Sequence, residues 1–308
     1  MNPDPRHLAQ LSVIVETGSF QAAADRLSLT QPALSRNMRR LEERVGAPIF
    51  LRDGRRAVPN DLGLKLARSG LTIRIAGEQA GDVASLAAAG SAGQLRIGAP
   101  PIVSGRFLTE ALSGFIAMNP NCVVEIRTGL VHELRAMLER GQIDVVFGPQ
   151  NAADPVAGLE FIPLIDDRVA ITCRADHPLT HVRKIMASDL MAQRWLAHSR
   201  GSLLRQQTEA AMIASGVHNI QIACETDSIR SALEIVAATD LITTMPVETT
   251  SSYLGQALVF LDFDHPQFHR PLGAIRRSNT PKNPVVEAFM TRLMASLDAS
   301  KNGSLRRM

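Results

Sequence analysis

Residues 18–63 read GSFQAAADRLSLTQPALSRNMRRLEERVGAPIFLRDGRRAVPNDLG. Ser19 is a good N-cap for a short helix carrying Phe20, Ala22, Ala23, Ala24 and Leu27, and its three consecutive alanines let a neighbouring helix approach closely. Ser28-Leu29 interrupts the pattern. Thr30-Gln31-Pro32 then opens a further helix, with Thr30 as cap and Pro32 in the first turn, where its missing N–H costs nothing. Leu34, Met38, Leu41 and Val45 form one apolar stripe down that helix, which faces a core. The opposite face carries Gln31, Ser35, Arg36, Arg39 and Arg40, and Gly46 ends the helix. Two short helices, a tight turn and a polar-faced third helix describe a helix-turn-helix, whose last helix enters a DNA major groove N-terminus first. Gln and Arg on that helix suit adenine and guanine edges respectively.

Upstream, Leu8, Leu11 and Val15 recur at helical spacing, and this first helix ends at Thr17-Gly18. Downstream, Pro48–Leu51 and Ala57–Pro59 are short extended runs on either side of Arg52-Asp53-Gly54-Arg55-Arg56, and Asp53-Gly54 is a hairpin signal. An arginine-tipped hairpin beside a recognition helix is a wing, suited to phosphates or the minor groove. The charge agrees with this placement. The 308-residue chain has a formal net charge of only +3, yet residues 31–60 hold seven Arg against three acidic residues. A local positive excess is how a DNA footprint looks; a solvated helix face is the alternative.

The run 18–63 closely resembles the DNA-binding domain of LysR-type transcriptional regulators: a G-S-F start, an alanine-rich second helix, T-Q-P-A-L-S opening the recognition helix, then R-x-L-E-x-x-V-G-x-x-I-F. Asn60-Asp61 stands where the family has Thr followed by a small or acidic residue, and the exchange still caps the next helix. The resemblance implies base reading by Gln31, Pro32, Ser35 and Arg36, and phosphate or minor-groove contacts by Arg52, Arg55 and Arg56. Thr30, Arg39 and Arg40 complete the candidate DNA face, with ion pairs to Glu42 or Glu43 as the competing role for the arginines.

Residues 61–89 contain no proline and open with Asp61. Leu62, Leu66, Ile73, Val83 and Leu86 among many alanines predict a helix of more than about 25 residues. A long helix with an apolar stripe and no evident partner in its own chain pairs with a second chain, and the family uses this segment for antiparallel dimer contacts. Gly63, Gly70, Gly77 and Gly81 either weaken the helix or permit close approach, and Gly90–Gly93 is a short hinge.

From Gln94 the pattern alternates strand and helix, which implies parallel α/β packing. Strands are expected at Leu95–Ala99, Val123–Arg127 and Ile143–Gly148, with helices at Phe107–Met118 and Glu133–Arg140 between them. A second unit has extended segments at Leu164–Ile165 and Arg168–Cys173 and helices at Leu203–Ser215 and Ser228–Ala238; the chain returns through Leu272–Arg276 to a last helix, Pro284–Leu297. The motifs L-R-I-G-A, F-x-x-x-N-P, L-x-x-G-x-I-D-V-V-F-G and D-H-P-L resemble the effector-binding domain of the same family, which is similar to periplasmic binding proteins. D-L-I-T-T-M-P resembles the subgroup with regulators of sugar uptake and of aromatic-acid degradation. The expected organisation is an all-α winged helix-turn-helix at 1–60, a linker and dimerisation helix with hinge at 61–90, and a two-lobed α/β domain at 91–308. Lobe I covers about 91–163 and 268–300, and lobe II about 164–267.

Ligands of open α/β sheets bind beyond the carboxyl ends of strands and at helix N-termini. The candidate effector site is therefore Pro100, Pro101, Ile102 and Val103 after one strand, Thr128, Gly129 and Leu130 after another, Ser199, Arg200, Gly201 and Ser202 before one helix, and Thr226 and Ser228 before another. Hydroxyls, free amides and Arg200 suit an anion, whereas Asp227 opposes one and keeps a neutral polyol or sugar open. Pro100-Pro101 removes two amide donors and predicts an apolar wall. The alternative for the Ser and Thr residues is helix capping alone.

Eight dispersed histidines form no H-E-x-x-H, and there is no G-x-S-x-G or phosphate-binding glycine loop, so an enzyme is not expected. Cys122, Cys173 and Cys224 are odd in number and never in C-x-x-C spacing, which implies no disulfide framework and no metal site. The start MNPDPRHL is not a signal peptide and no apolar run spans a membrane, so a cytoplasmic protein is expected. Neither a cofactor nor a membrane partner is called for. The expected partners are double-stranded DNA, a small organic acid, aromatic acid or sugar as effector, a second or further copies of the chain as dimer or tetramer, and RNA polymerase if the protein activates. An effector-independent architectural DNA-bending protein or a constitutive repressor is the competing reading.

Overall fold

The computed structural model describes residues 3–51, 58–88, 93–104, 106–150, 158–278 and 283–305. The chain divides into two compact units, one from residue 1 to 90 and one comprising 91–278 and 282–308, with 279–281 grouped with the first.

In the first unit, α1 (Pro5–Thr17), α2 (Phe20–Arg26) and α3 (Gln31–Val45) follow the capping chemistry of the sequence. The Asp4, Ser19 and Thr30 side chains each accept a backbone N–H of the following helix, and α1 and α3 both end at a left-handed glycine, Gly18 and Gly46. Leu34, Met38 and Leu41 of α3 are buried with Leu11 and Ile14 of α1 and Ala23 and Ala24 of α2. Phe20 and Phe50 pack with ring centroids 5.2 Å apart, which anchors the segment after α3. Phe50 bridges Pro59 in antiparallel fashion, forming the base of the hairpin.

α4 (Asp61–Ala88) runs for 28 residues. Asn60 accepts the Gly63 N–H through its side chain and donates to the Pro48 carbonyl, tying the start of α4 to the hairpin base. The expectation that this helix lacks a partner in its own chain is corrected for its first half. Leu62, Leu66, Ala67 and Ile73 join the core made by α1–α3, and Arg74 bonds Glu16 of α1. Two of the four glycines explain how. A Cβ on Gly63 would lie 2.1 Å from the Ile49 carbonyl oxygen, and one on Gly70 would lie 1.8 Å from that of Leu8. Gly77 and Gly81 have nothing within 4 Å of such an atom. The glycines that permit approach are thus in the first half of the helix, and their partner is backbone of the same chain.

The second unit is built on a mixed sheet rather than a parallel one. β1 (Gly93–Gly98) lies parallel to β2 (Cys122–Arg127) and to β3 (Val145–Pro149), while β3 pairs antiparallel with β9 (His269–Arg277). β9 in turn pairs antiparallel with β4 (Leu159–Arg174), and β4 with β7 (Thr243–Pro246) and β8 (Leu258–Phe260). The two extended segments expected around residue 166 are one 16-residue strand, β4, whose register shifts between Pro163 and Ile165. Proline has no N–H for the ladder, so the shift falls where a proline breaks it. β5 (Arg194–Ala197) and β6 (Gln221–Glu225) form a separate parallel pair.

β4 and β9 are the long strands that run from one lobe to the other. α5 (Arg106–Met118) and α11 (Pro284–Leu305) cover the first lobe, with Phe115, Phe147 and Phe289 packed edge to face. The second lobe buries Trp195, Leu204, Met212 and Phe268 under α8 (Leu203–Ala214). The connecting strands carry a buried charged pair, Asp167 and Arg270, opposite each other in register, with Oδ2 and Nη2 3.9 Å apart. The other Asp167 oxygen accepts the Glu248 N–H at 3.0 Å. Burial pushes the Asp167 carboxyl up and the Arg270 guanidinium down from their ordinary values, each partly offset by the other.

Two sequence motifs are accounted for by structure alone. Arg96 of L-R-I-G-A grips Asp144 of I-D-V-V-F-G through Nε and Nη2 at 3.2 and 3.0 Å, locking β1 to the start of β3. His177 of D-H-P-L accepts the Leu179 N–H through Nδ1 and caps a single turn.

Candidate functional site

The outer face of α3 carries Gln31, Pro32, Ser35, Arg36, Arg39 and Arg40. Gln31 Nε2 donates to Ser35 Oγ at 3.0 Å, so these two polar groups, one turn apart, are pre-set against each other. Thr30 is spent on capping. Arg36, Arg39 and Arg40 are exposed, and none has an ion-pair partner among the described residues. Glu42, one of the expected competitors, instead accepts the Ile49 N–H at 2.9 Å. Three adjacent guanidinium groups without a counter-charge are what phosphates or guanine edges would neutralise. Arg52, Arg55 and Arg56, expected in a wing, lie outside the described residues.

In the second unit a cavity of about 310 Å³ opens at the ends of the strands. Pro100, Pro101 and Ile102 follow β1, and Gly129 and Leu130 precede α6 (Val131–Glu139). Ser202–Leu204 start α8, and Asp227 and Ile229 start α9 (Ile229–Ala237). Of the thirteen residues singled out in sequence, the structure brings six to this cavity: Pro100, Pro101, Ile102, Gly129, Leu130 and Ser202.

Val103, Thr128, Ser199, Arg200, Gly201, Thr226 and Ser228 do not line it. Val103 is buried in the first-lobe core. Ser228 caps α9 by accepting the Ser231 N–H, and Thr226 accepts the N–H of Ser228 just before the helix. Arg200 is exposed outside the cavity. Gly201 sits behind the wall, where a Cβ would meet Leu130 Cδ1 at 2.8 Å.

The chain matches two family descriptions. Residues 5–64 match the bacterial regulatory helix-turn-helix protein, lysR family, and residues 88–298 match the LysR substrate binding domain. The HTH-type transcriptional regulator PcaQ of Agrobacterium fabrum is 33% identical over 230 residues, covering 72% of each chain. The chain belongs to the LysR family of DNA-binding transcriptional regulators. At the level of fold, this LysR-type regulator is similar to a full-length OxyR from Pseudomonas aeruginosa, with a TM-score of 0.60, 22% identity and coverage of 96% and 95% of the two chains. It is likewise similar to full-length CbnR in complex with its target DNA, with a TM-score of 0.56, 21% identity and coverage of 95% and 99%.

Sequence reasoning missed three polar residues that line the cavity of the regulator: Glu133, His198 and Asp227. In the sequence Asp227 stands out only as an opponent of anions, Glu133 as the start of a helix, and His198 as one of eight dispersed histidines. Glu133 Oε2 accepts the Leu130 N–H at 2.9 Å, and Asp227 Oδ1 accepts the Ser199 N–H at 3.0 Å. Their other oxygens have no protein partner among the described residues. His198 is buried, and its Nε2 faces the Thr244 carbonyl oxygen at 3.3 Å. Burial holds its ring below the ordinary value, so it is neutral at pH 7. A signal existed for Glu133: an acid three residues after a helix start is a capping-box position. Nothing local marks His198.

Two of the three cysteines are poor sources of thiolate. Burial pushes Cys173 up to about 11 and also raises Cys122.

Proposed function

We propose that this LysR-type regulator reads its operator with Gln31, Ser35 and Arg36 and holds the phosphates with Arg39, Arg40 and the hairpin arginines Arg52, Arg55 and Arg56. A small-molecule effector occupies the cavity between Pro100–Ile102, Gly129–Leu130 and Ser202–Leu204. The units serving these tasks are residues 1–60 for DNA, 61–90 for the linker, and 91–308 for the effector domain. The second half of α4 pairs with a second chain, giving a dimer or tetramer that acts in the cytoplasm without catalysing a reaction, and that contacts RNA polymerase where it activates. Effector binding draws the lobes together about β4 and β9, shifts the relative orientation of the DNA-binding units, and so changes DNA bending.

The observation that carries the DNA assignment is the row of unpaired guanidinium groups on a capped helix whose opposite face is fully committed to the core. For the effector it is a cavity that gathers residues from four separated segments at strand and helix ends. An architectural role without an effector would leave such a cavity without use.

The test is a nuclease footprint of the full-length protein on fragments selected from its own genome. A protected stretch of several helical turns, lost in Arg36→Ala, supports the reading. A Ser202→Trp variant, which fills the cavity, should keep the basal footprint and no longer change it on addition of cell-extract metabolites. An empty selection for the wild-type protein would contradict the DNA assignment. An extract response that persists in Ser202→Trp would contradict the cavity assignment.

A further inference from the structure

The sequence leaves an anion and a neutral polyol or sugar both open for this cavity, and the side chains that line it weigh against the anion. We infer that it accepts a compact hydrogen-bond-donating ligand without net negative charge, an amine or a polyol, with an apolar face against Pro100, Pro101 and Ile102. The inference rests on the reading of the cavity as the effector site and specifies the class of effector.

Three lining side chains are acceptors. Glu133 and Asp227 each use one carboxylate oxygen on a backbone N–H and keep the other. His198 directs Nε2 at a carbonyl oxygen, so Nε2 carries the hydrogen. Nδ1 is then an acceptor, and it has no partner among the described residues. His198 is only 6% exposed as a residue, yet Nδ1 is not among the fully buried unpartnered atoms, so it remains accessible. Against these three acceptors, no Lys or Arg among the described residues lines the cavity. Arg205, the nearest cation in sequence to the α8 wall, is spent on Glu209, Glu225 and the His198 carbonyl.

The helix starts agree. At α6 the Leu130 N–H, which an anion would seek, is already taken by Glu133. At α9 the Ser231 N–H is taken by the Ser228 hydroxyl. α6 and α8 both start without a side-chain cap from their N-cap residues, Leu130 and Ser202. Helix-start amides therefore donate towards the cavity, while Glu133, Asp227 and His198 accept. A carboxylate seated at α8 would face two carboxylates with no counter-charge, whereas a hydroxyl there accepts from the α8 amides while its neighbours donate to Glu133, Asp227 and His198.

The field in the cavity can be measured without knowing the effector. In the full-length protein with Cys122→Ser and Cys224→Ser, which keeps only the buried native thiol Cys173, a reporter thiol is placed by Ser202→Cys, and by Pro101→Cys on the opposite wall, and the rate of the parent without a reporter thiol is subtracted. Each is treated with cationic, neutral and anionic methanethiosulfonates, and rates are divided by those at the exposed control Met191→Cys. The anionic reagent is expected to be slowed at least about threefold relative to the neutral one. Glu133→Gln with Asp227→Asn should abolish that difference. A cationic rate above the neutral one selects the amine; a neutral rate above both selects the polyol. An anionic rate equal to or above the neutral rate overturns the inference. A folded protein whose thiols on both walls react with no reagent overturns the cavity itself as an effector site.

Discussion

The proposed DNA-binding face and the proposed effector cavity of this regulator are built in opposite ways. On α3 the functional side chains lie within ten residues of one another, on a helix whose caps, stripe and stop are all local. The cavity draws on residues 100–102, 129–133, 198–204 and 227–229, brought together by a mixed sheet and two crossing strands. The first site is a face, open and positively charged. The second is a partly open cavity, and its described charged side chains are acidic. A local site tolerates changes elsewhere in the fold, whereas a site assembled from distant segments depends on the strands that join them.

The largest expected effect tests that dependence. Asp167→Ala would leave Arg270 buried without its counter-charge, and should cost about 3–5 kcal/mol in denaturant unfolding of the second unit. The first unit should unfold at its original midpoint; a parallel loss there would deny that the two regions are separable. Next in size is Gly70→Ala, which drives a Cβ into the Leu8 carbonyl and should destabilise the first unit by about 1–3 kcal/mol. Gly77→Ala meets nothing and should stabilise the helix by about 0.5–1 kcal/mol. If the two substitutions behaved alike, α4 would not pack on α1 as described.

Much of the first unit was legible because its signals are local. Ser19, Thr30 and Pro32 announce helix starts, Gly18 and Gly46 announce ends, and Leu34, Met38 and Leu41 set the buried face. What escaped reading was the partner of α4, since Gly63 and Gly70 cannot be told from Gly77 and Gly81 without knowing what lies opposite. In the second unit the strand and helix order was readable, but not that β9 returns antiparallel between β3 and β4. Nor was the acidic character of the cavity, because Glu133 and His198 are 65 residues apart in a sequence where each has an ordinary local role.

The smallest expected effect concerns His198 and pH. Its folded value lies below its ordinary 6.5, so the unfolded chain binds the proton more readily. His198 therefore contributes nothing to the pH dependence well above 6.5, and stability falls as pH drops below it, by at most about 1.4 kcal/mol per pH unit. His198→Asn should flatten that part of the stability profile between pH 5 and 7. An unchanged slope would mean that the ring titrates freely and is not the neutral acceptor the cavity requires.

If DNA reading and effector sensing reside in separate side-chain sets of one regulator, operator affinity should distinguish them when measured by fluorescence anisotropy at fixed salt for Arg36→Ala and Asp227→Asn side by side. Arg36→Ala should lose affinity by about 1–3 kcal/mol with its melting temperature unchanged, and Asp227→Asn should bind the operator as the wild type does when no effector is present. Equal loss in both variants, or none in Arg36→Ala, would contradict the account.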